Sequence, residues 1–336
     1  MEAVERDGKV LRLGLAGLGY WGPNLARNLD DLPGARLEWL CDQDEGRLGR
    51  YDARFPQARR TSRFEDLLAD GALDAVVVAT PVVTHFELAR QALRAGKNVF
   101  VEKPLADSAA HAEELVELAE ERGLVLMPGH LLLYHPGVAK LKELVDSGDL
   151  GRILYVSGER KNLGKIRRDE NALWSLGAHD LSVVLHLLGE EPAECWARGE
   201  SFLTEGIEDV VVCYLRFPSG YSADLHLSWL DPHKVRRITV VGDRKMAVFD
   251  DMELERKITI YDKRPEQRTD TYGEWLTRTG DISIPKIAND EPLRLECERF
   301  LALLRGAGDR GESARGGLAV VRTLEQLQAS LERERV

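Results

Sequence analysis

Long apolar runs are missing from this 336-residue sequence. None approaches the roughly 18 consecutive apolar residues that a membrane-crossing helix needs. The best candidates, such as 74–81, are of strand length. The first residues, MEAVERDGKVLRLG, lack a basic stretch followed by an apolar core, so no signal peptide is expected. Cysteine is scarce. Cys41, Cys195, Cys213 and Cys297 stand far apart and form neither a CxxC nor a Cys/His ligand spacing. No metal site is therefore expected, and reduced thiols in a cytoplasm are the simplest reading. Positive charge is in deficit, with 46 Lys and Arg against 57 Asp and Glu, a net charge of −11. A surface this acidic is a poor match for nucleic acid. Neither a nucleic-acid nor a membrane partner is expected, although a local basic pocket for a phosphorylated or carboxylated small molecule remains compatible. Biased composition is also absent: 43% hydrophobic and 31% charged residues are the balance of a globular protein. The length fits two domains of about 150 residues each, enough to bury a core without disulfide or metal staples.

In the first part of the chain, strand and helix alternate. Strands are predicted at 10–16, 36–41, 58–61, 74–79, 98–101 and 124–127. Helices are predicted at 23–31, 84–95 (closed by Gly96) and 108–122 (closed by Gly123). Ser62 and Glu65 form a capping-box pattern that opens a short helix through residue 68. This alternation implies βαβ units, an α/β domain with a doubly wound parallel sheet. After about residue 128 the pattern changes. Helices at 136–147 and 173–188 precede strand-like runs at 193–201, 209–217, 221–230, 235–241, 247–249 and 257–261. Such spacing implies an α+β domain on a large open, mostly antiparallel sheet. Residues 264–280 read as a polar surface loop. Helices at 293–304 and 314–333 close the chain. The division is 1–128, a Rossmann-type domain, and 129–336, a substrate-binding and oligomerisation domain whose terminal helices can pack back on the first.

The chemistry starts at the first turn. Gly17-Leu18-Gly19-Tyr20-Trp21-Gly22 is a GxGxxG that follows a strand and opens a helix. Its glycines permit the tight turn, the close approach of a pyrophosphate and helix–strand packing, and the helix N-terminus favours the anion. Tyr20 and Trp21, inside the motif, count among the candidate cofactor contacts. Asp42 lies twenty residues after Gly22 at a strand end, where a carboxylate binds adenosine ribose hydroxyls and repels a 2′-phosphate. NAD(H) is thus favoured over NADP(H), with Arg47 the counter-indication. Thr80, Pro81 and His85 follow the fourth strand and are placed to touch the ribose or nicotinamide. His85 reads equally well as a solvated helix residue. Glu102-Lys103-Pro104 ends the fifth strand. A lysine there can exchange a proton with a substrate hydroxyl during hydride transfer, or be a solvated strand-end residue.

The GLGYWG turn, Asp42, ATP at 79–81, EKP at 102–104 and the later Gly177-x-His179 resemble the glucose–fructose oxidoreductase / inositol dehydrogenase / MocA (GFO/IDH/MocA) family over about residues 9–333. The resemblance implies an NAD-dependent sugar dehydrogenase with a Rossmann domain and a C-terminal open-sheet domain. It implies a homodimer or homotetramer formed through that sheet. It makes Lys103 and His179 the catalytic pair. Many members carry an aspartate four residues before the histidine, whereas this chain has Ser175, which weakens an Asp–His relay. Asp180 is a further candidate to orient the site. GHLLLYHP, RKNLG, ALWSLGAHDL and SWLDPHKVRR look most like the nucleotide-sugar branch, the UDP-N-acetylglucosamine or UDP-N-acetylglucosaminuronate 3-dehydrogenases of polysaccharide or antibiotic assembly. The branch resemblance makes Tyr134, Arg160, Asn162, Arg167, Trp174 and His179 candidate sugar or diphosphate contacts. It also makes the basic segment 159–168 an anion site. The alternatives are a dehydrogenase of a free polyol, inositol or sugar phosphate, an NAD-dependent glycosidase, and a non-catalytic nucleotide sensor.

Overall fold

The computed structural model describes residues 9–164, 166–267 and 274–334. The chain runs β1 (Leu11–Ala16), α1 (Gly22–Asp31), β2 (Ala35–Cys41), α2 (Glu45–Gly49), β3 (Arg59–Thr61), α3 (Phe64–Ala69), β4 (Ala75–Val78), α4 (His85–Arg94), β5 (Asn98–Glu102), α5 (Ala109–Glu121) and β6 (Leu126–Gly129). It continues with α6 (Pro136–Asp146), β7 (Ile153–Lys161), a π-helical turn (Leu173–Gly177), α7 (Ala178–Leu188) and β8 (Glu194–Glu200). Then follow β9 (Val210–Arg216), β10 (Ser222–Ser228), β11 (Val235–Gly242), β12 (Met246–Asp250), β13 (Ile258–Gln267), β14 (Trp275–Ser283), α8 (Pro292–Leu304) and α9 (Glu312–Glu334). Two compact units result. One holds the chain up to Leu131 together with Glu291–Val321; the other holds Leu132–Asp290 and the chain from Arg322 onward.

The first unit is a six-stranded parallel sheet in the order β3-β2-β1-β4-β5-β6. β4, AVVV, is buried at every position, as expected for a parallel strand covered on both faces. After β1 the chain turns toward β2, and after β4 toward β5. The carboxyl ends of β1 and β4 therefore flank the point where strand order reverses, the place where open α/β sheets bind ligands. Backbone bonds hold these ends together: Gly17 N donates to Cys41 O and Ala79 N to Ala16 O, both at 2.8 Å. α8 belongs to this unit, and its Phe300 meets Phe100 of β5 edge to face at 5.6 Å between centroids.

The second unit carries an eight-stranded sheet in the order β14-β13-β12-β11-β7-β10-β9-β8. Neighbours run antiparallel except β7 and β10, which are parallel. One face is buried, with Val211, Cys213, Leu215, Leu225 and Ile238 among its residues. Gly158 lets α7 lie close on it, because a Cβ there would stand 2.5 Å from a Leu225 methyl carbon and 3.9 Å from the Asp180 Cβ. On the other face of β8 and β9, Trp196, Val212 and Tyr214 are exposed.

Two expectations change, and one helix is new. β13 and β14 pair as a hairpin across most of the segment read as a loop, so 264–267 and 275–280 are strand; residues 268–273 lie outside the described residues. The capping box does not form. α3 starts after Arg63 without a side-chain cap, and the Thr61 hydroxyl donates instead to Asp66. α2, capped by Asp44 accepting from Arg47 N, follows the second strand and was not legible. Among the described residues no helix is long and apolar enough to cross a membrane.

Candidate active site

The glycine turn is built by contacts that a side chain would break. Gly17 has φ +99°, and a Cβ on it would stand 2.4 Å from Ala79 O. A Cβ on Gly22 would stand 1.9 Å from Gly17 O. Gly19 differs, since nothing lies within 4 Å of its Cβ position. Trp21, the residue before α1, supplies no side-chain cap, and Pro23 opens the helix. The first turn of α1 carries no acidic residue, so none of its own side chains neutralises the positive dipole end. An open cradle beside an uncapped helix end fits a dinucleotide pyrophosphate. A test follows from the two kinds of glycine. Gly19→Ala should leave the melting temperature of the free protein within about 1 °C of wild type, yet weaken NADH binding at least about tenfold (~1.4 kcal/mol). Equal affinity, read by fluorescence titration, would remove Gly19 from the cradle.

Asp42 ends up inside this construction. Its carboxylate accepts from Leu18 N at 2.7 Å and from Asp44 N at 2.8 Å, and it is largely buried. It therefore shapes the glycine turn as well as offering its remaining acceptor positions to a ribose. Arg47, the expected counter-indication, lies 3.6 Å from Asp42 and 3.4 Å from Asp44. Beside it a cavity of about 200 Å³ is lined by Leu18, Gly19, Tyr20, Arg47, Arg50 and Tyr51. Tyr20 is 92% exposed at its rim.

At the end of β4, the Thr80 hydroxyl bonds that of Thr84 at 2.7 Å, and Thr84 donates to Pro81 O at 2.7 Å. These bonds close the turn after Pro81. The reading of His85 as a ribose or nicotinamide contact, or as a solvated residue, is corrected. The ring is 1% exposed, with Nδ1 at 2.9 Å from Pro104 O and Nε2 at 2.9 Å from Thr80 O. Both nitrogens are spent on the backbone, so the ring ties the end of β4 to the turn after β5.

That turn carries Glu102, Lys103 and Pro104. Glu102 accepts from Lys103 N at 3.2 Å, while its Oε1 is shut off from solvent and has no hydrogen-bond partner. Burial pushes its carboxyl up to about 7, against the pull of the Lys103 charge and N–H and of the Trp21 side chain. Trp21 thus faces the Lys103 turn from the glycine motif.

Two further buried titratable groups lie in this unit, His130 within the GHLLLYHP segment and Glu296. His130, just after β6, is buried with neither ring nitrogen hydrogen-bonded. Burial, then the Lys103 charge, pushes it down to about 4, so the ring is neutral at ordinary pH. Glu296 of α8 is 0% exposed and neither of its oxygens has a partner. Burial, then the charge of Glu102, holds it well above the usual carboxylate range. A buried carboxyl without a partner is stable only as the neutral acid. The folded chain then keeps a proton that the unfolded chain loses above its ordinary value of 4.5. Stability therefore falls as pH rises past that value, by up to roughly 1.4 kcal/mol per pH unit until the folded group ionises. Glu296→Gln should raise the melting temperature at pH 8 and leave it near wild type at pH 5. A gap of equal size at both pH values would contradict a neutral Glu296.

The remaining candidates lie in the second unit. His179 is half-buried in the first turn of α7, directly after the π-helical turn that carries Trp174 and Ser175. π-turns within helices are frequent at functional sites. Trp174 and Ser175 are half-buried like His179, while Asp180 is buried. Tyr134 and Asn162 are half-buried, in a 3₁₀ turn and just past β7.

Arg160 is corrected as a substrate contact. Its Nε and Nη2 donate to the two Asp180 oxygens at 2.7 and 2.9 Å, and both side chains are buried. The pair ties β7 to α7, which also gives Asp180 a structural duty in place of orienting the site. Arg167 pairs with Glu170 at 2.9 Å and Lys161 with Glu159 at 2.9 Å. Arg160, Lys161 and Arg167 are thus each paired with a carboxylate, and the anion site expected there is not formed by Arg160.

The pattern of the GFO/IDH/MocA oxidoreductase family, NAD-binding Rossmann fold, matches residues 11–130. That of the GFO/IDH/MocA C-terminal domain matches residues 138–248. The scyllo-inositol 2-dehydrogenase (NAD(+)) of Bacillus subtilis strain 168 is 28% identical over 241 residues, 68% of this chain and 70% of that one. The solved structure of UDP-N-acetylglucosamine 3-dehydrogenase from Acidithiobacillus ferrooxidans is similar at TM-score 0.82 and 26% identity, covering 96% of this chain and 98% of that one. A structure of GenD2 from gentamicin A biosynthesis, in complex with NAD, is similar at TM-score 0.80 and 26% identity, covering 97% and 95%.

Proposed function

The chain belongs to the GFO/IDH/MocA oxidoreductase family, and on that premise we propose that it oxidises a sugar carbinol, the C3 hydroxyl of a UDP-sugar, with NAD⁺. One observation carries the reading. The open glycine cradle and the Glu102-Lys103-Pro104 turn stand on the same carboxyl edge of one parallel sheet. NAD, when bound, supplies the ring carbon that receives the hydride. Gly17, Gly19, Gly22 and the α1 N-terminus would hold its pyrophosphate, and Asp42 the adenosine ribose. The cavity at Gly19, Arg47 and Tyr51 suits the adenosine end.

Lys103 and His179 are the proposed catalytic residues. In the oxidation the substrate O–H bond breaks and its proton passes to the neutral Lys103 amine, or to the neutral His179 imidazole. The carbinol C–H pair leaves as hydride, and the carbon–oxygen double bond forms. The neutral, buried His130 adds no charge beside Lys103. Tyr134, Asn162, Arg167 and Trp174 are the proposed sugar contacts.

Likeness to UDP-N-acetylglucosamine 3-dehydrogenase over nearly the whole chain supports the nucleotide sugar. Likeness to scyllo-inositol 2-dehydrogenase supports a second reading, an inositol or free-polyol substrate. NADH formation at 340 nm with NAD⁺ and UDP-N-acetylglucosamine, its uronate, UDP-glucose, glucose 6-phosphate or myo-inositol separates them. Reduction confined to UDP-sugars is expected; reduction with inositol alone would overturn the UDP-sugar substrate. The exposed Trp196, Val212 and Tyr214 on the open sheet support a homo-oligomer. Sedimentation at a multiple of 37.6 kDa is the expected result, and a monomer would sink that part.

A further inference from the structure

Between residues 171 and 180 only Trp174, Ser175, Leu176 and His179 reach the surface; the other six are buried. A buried polar side chain stands at each end of this segment. At the far end Asp180 is fixed by Arg160. At the start, Asn171 uses its whole side-chain amide. Nδ2 donates to Glu208 Oε2 at 2.7 Å and to Gln328 Oε1 of α9 at 3.0 Å, while Oδ1 accepts from Trp174 N at 3.2 Å. A peptide N–H only donates, so Oδ1 must face Trp174 and Nδ2 the two oxygens. The main chain adds to this grip. Ser175 N donates to Asn171 O at 3.0 Å, and Ala172 N to Glu208 O at 2.9 Å. Asn171 thus serves this turn as an N-cap serves an α-helix, satisfying an N–H that has no earlier carbonyl to reach.

The chain between the two anchors is not a regular α-helix, because Leu173–Gly177 is a π-turn. Such a turn holds one residue more in each hydrogen-bonded ring. Gly177 closes it tightly: a Cβ there would stand 3.0 Å from Leu227 Cδ1 of β10 and 3.2 Å from Leu173 Cδ1. With Asn171 held at one end and Asp180 at the other, the extra residue cannot be lost by sliding either end. In an α-helix the residue one turn before His179 is Ser175. The i→i+5 ring of a π-turn brings Trp174 toward that face as well. We propose that Asn171 is a positioning residue: by capping Trp174 N it holds the π-turn in which Trp174 and Ser175 are set relative to His179, and so shapes the sugar-facing wall of the site. The cap is a property of the free protein; only its use in turnover rests on the proposed dehydrogenase activity.

Two variants separate capping from mere stability. Asn171→Ala removes the acceptor and both donors. Asn171→Ser also removes the donors to Glu208 and Gln328 but keeps a hydroxyl suited to a cap. Both should lower the melting temperature, by amounts within about 4 °C of each other, since they differ by one capping bond. Activity should not follow stability. With NAD⁺ and UDP-N-acetylglucosamine or myo-inositol, whichever the wild type oxidises, the Ala variant should lose at least about 30-fold in kcat/KM, and the Ser variant should stay within about fivefold of wild type. Both should bind NADH within about threefold of wild type. Equal activity in the two variants, or a loss that tracks the melting temperature, would leave Asn171 merely structural and overturn the proposal. Amide hydrogen exchange without substrate or cofactor tests the cap by itself. Exchange across residues 173–177 should be at least about tenfold faster in the Ala variant than in the Ser variant. Equal exchange would overturn the cap whatever the enzyme oxidises, so its failure is distinct from failure of the dehydrogenase reading. Asn171→Cys, whose sulfur is a weak acceptor, replaces the Ala variant if that does not fold.

Discussion

Lys103→Met should lower turnover by about 10³-fold (~4 kcal/mol), within the range a general acid–base group contributes. The NADH dissociation constant should stay within about threefold, because the cradle is made by Gly17, Gly19, Gly22 and the end of α1 rather than by the lysine. Methionine keeps most of the side-chain length and apolar bulk, so the melting temperature should change little. Steady-state rates, fluorescence titration with NADH and thermal unfolding together separate lost chemistry from lost binding and lost fold. Turnover near the wild-type rate would remove Lys103 from the reaction. Loss of NADH binding along with turnover would make the lysine a cofactor ligand first.

The second large effect is on stability. Asp180→Ala should destabilise the second unit by about 3–5 kcal/mol, because it leaves the Arg160 guanidinium buried without its counter-charge. A fall in melting temperature on the order of 10 °C corresponds to this. The double change Arg160→Met with Asp180→Leu should be markedly milder than Asp180→Ala alone, since it removes both charges and keeps apolar volume. If Arg160 instead served a substrate diphosphate, Arg160→Met would raise KM at an unchanged melting temperature. Thermal unfolding of the three variants, with KM alongside, decides between the two roles.

The structure explains why some residues could be read from the chain and others not. The glycine turn, Asp42 and Lys103 are local features, each a fixed distance past a strand whose apolar run is visible. β14 is the opposite case. Every one of its residues is exposed, so no inward face imprints a period of two on WLTRTGDIS. It exists because β13 offers it a hydrogen-bonding edge. Arg160 carried a signal that went unused. In β7 the buried positions fall at Val156, Gly158 and Arg160, and that alternation points the arginine inward once the strand is recognised. Glu296 carried one too. It lies in phase with Leu293, Cys297 and Phe300 on the buried side of α8, so a carboxyl sits where the helix period calls for an apolar group. What no local pattern could supply is its neighbour, since Glu102 lies nearly two hundred residues earlier. His85 is hidden for a related reason. Its partners are backbone carbonyls of Thr80 and Pro104, and main-chain acceptors leave no mark on side-chain identity.

The claim on which the rest depends is that hydride leaves a sugar carbinol for NAD⁺ on this chain. Incubating the protein with NAD⁺ and UDP-N-acetylglucosamine deuterated at C3, then weighing the reduced cofactor by mass spectrometry, tests it most directly. The expected product is NADH one mass unit heavier, together with a 3-keto sugar. Reduced cofactor without deuterium would place the oxidised carbon elsewhere, and no reduction with any carbinol substrate, despite bound NADH, would contradict the dehydrogenase itself.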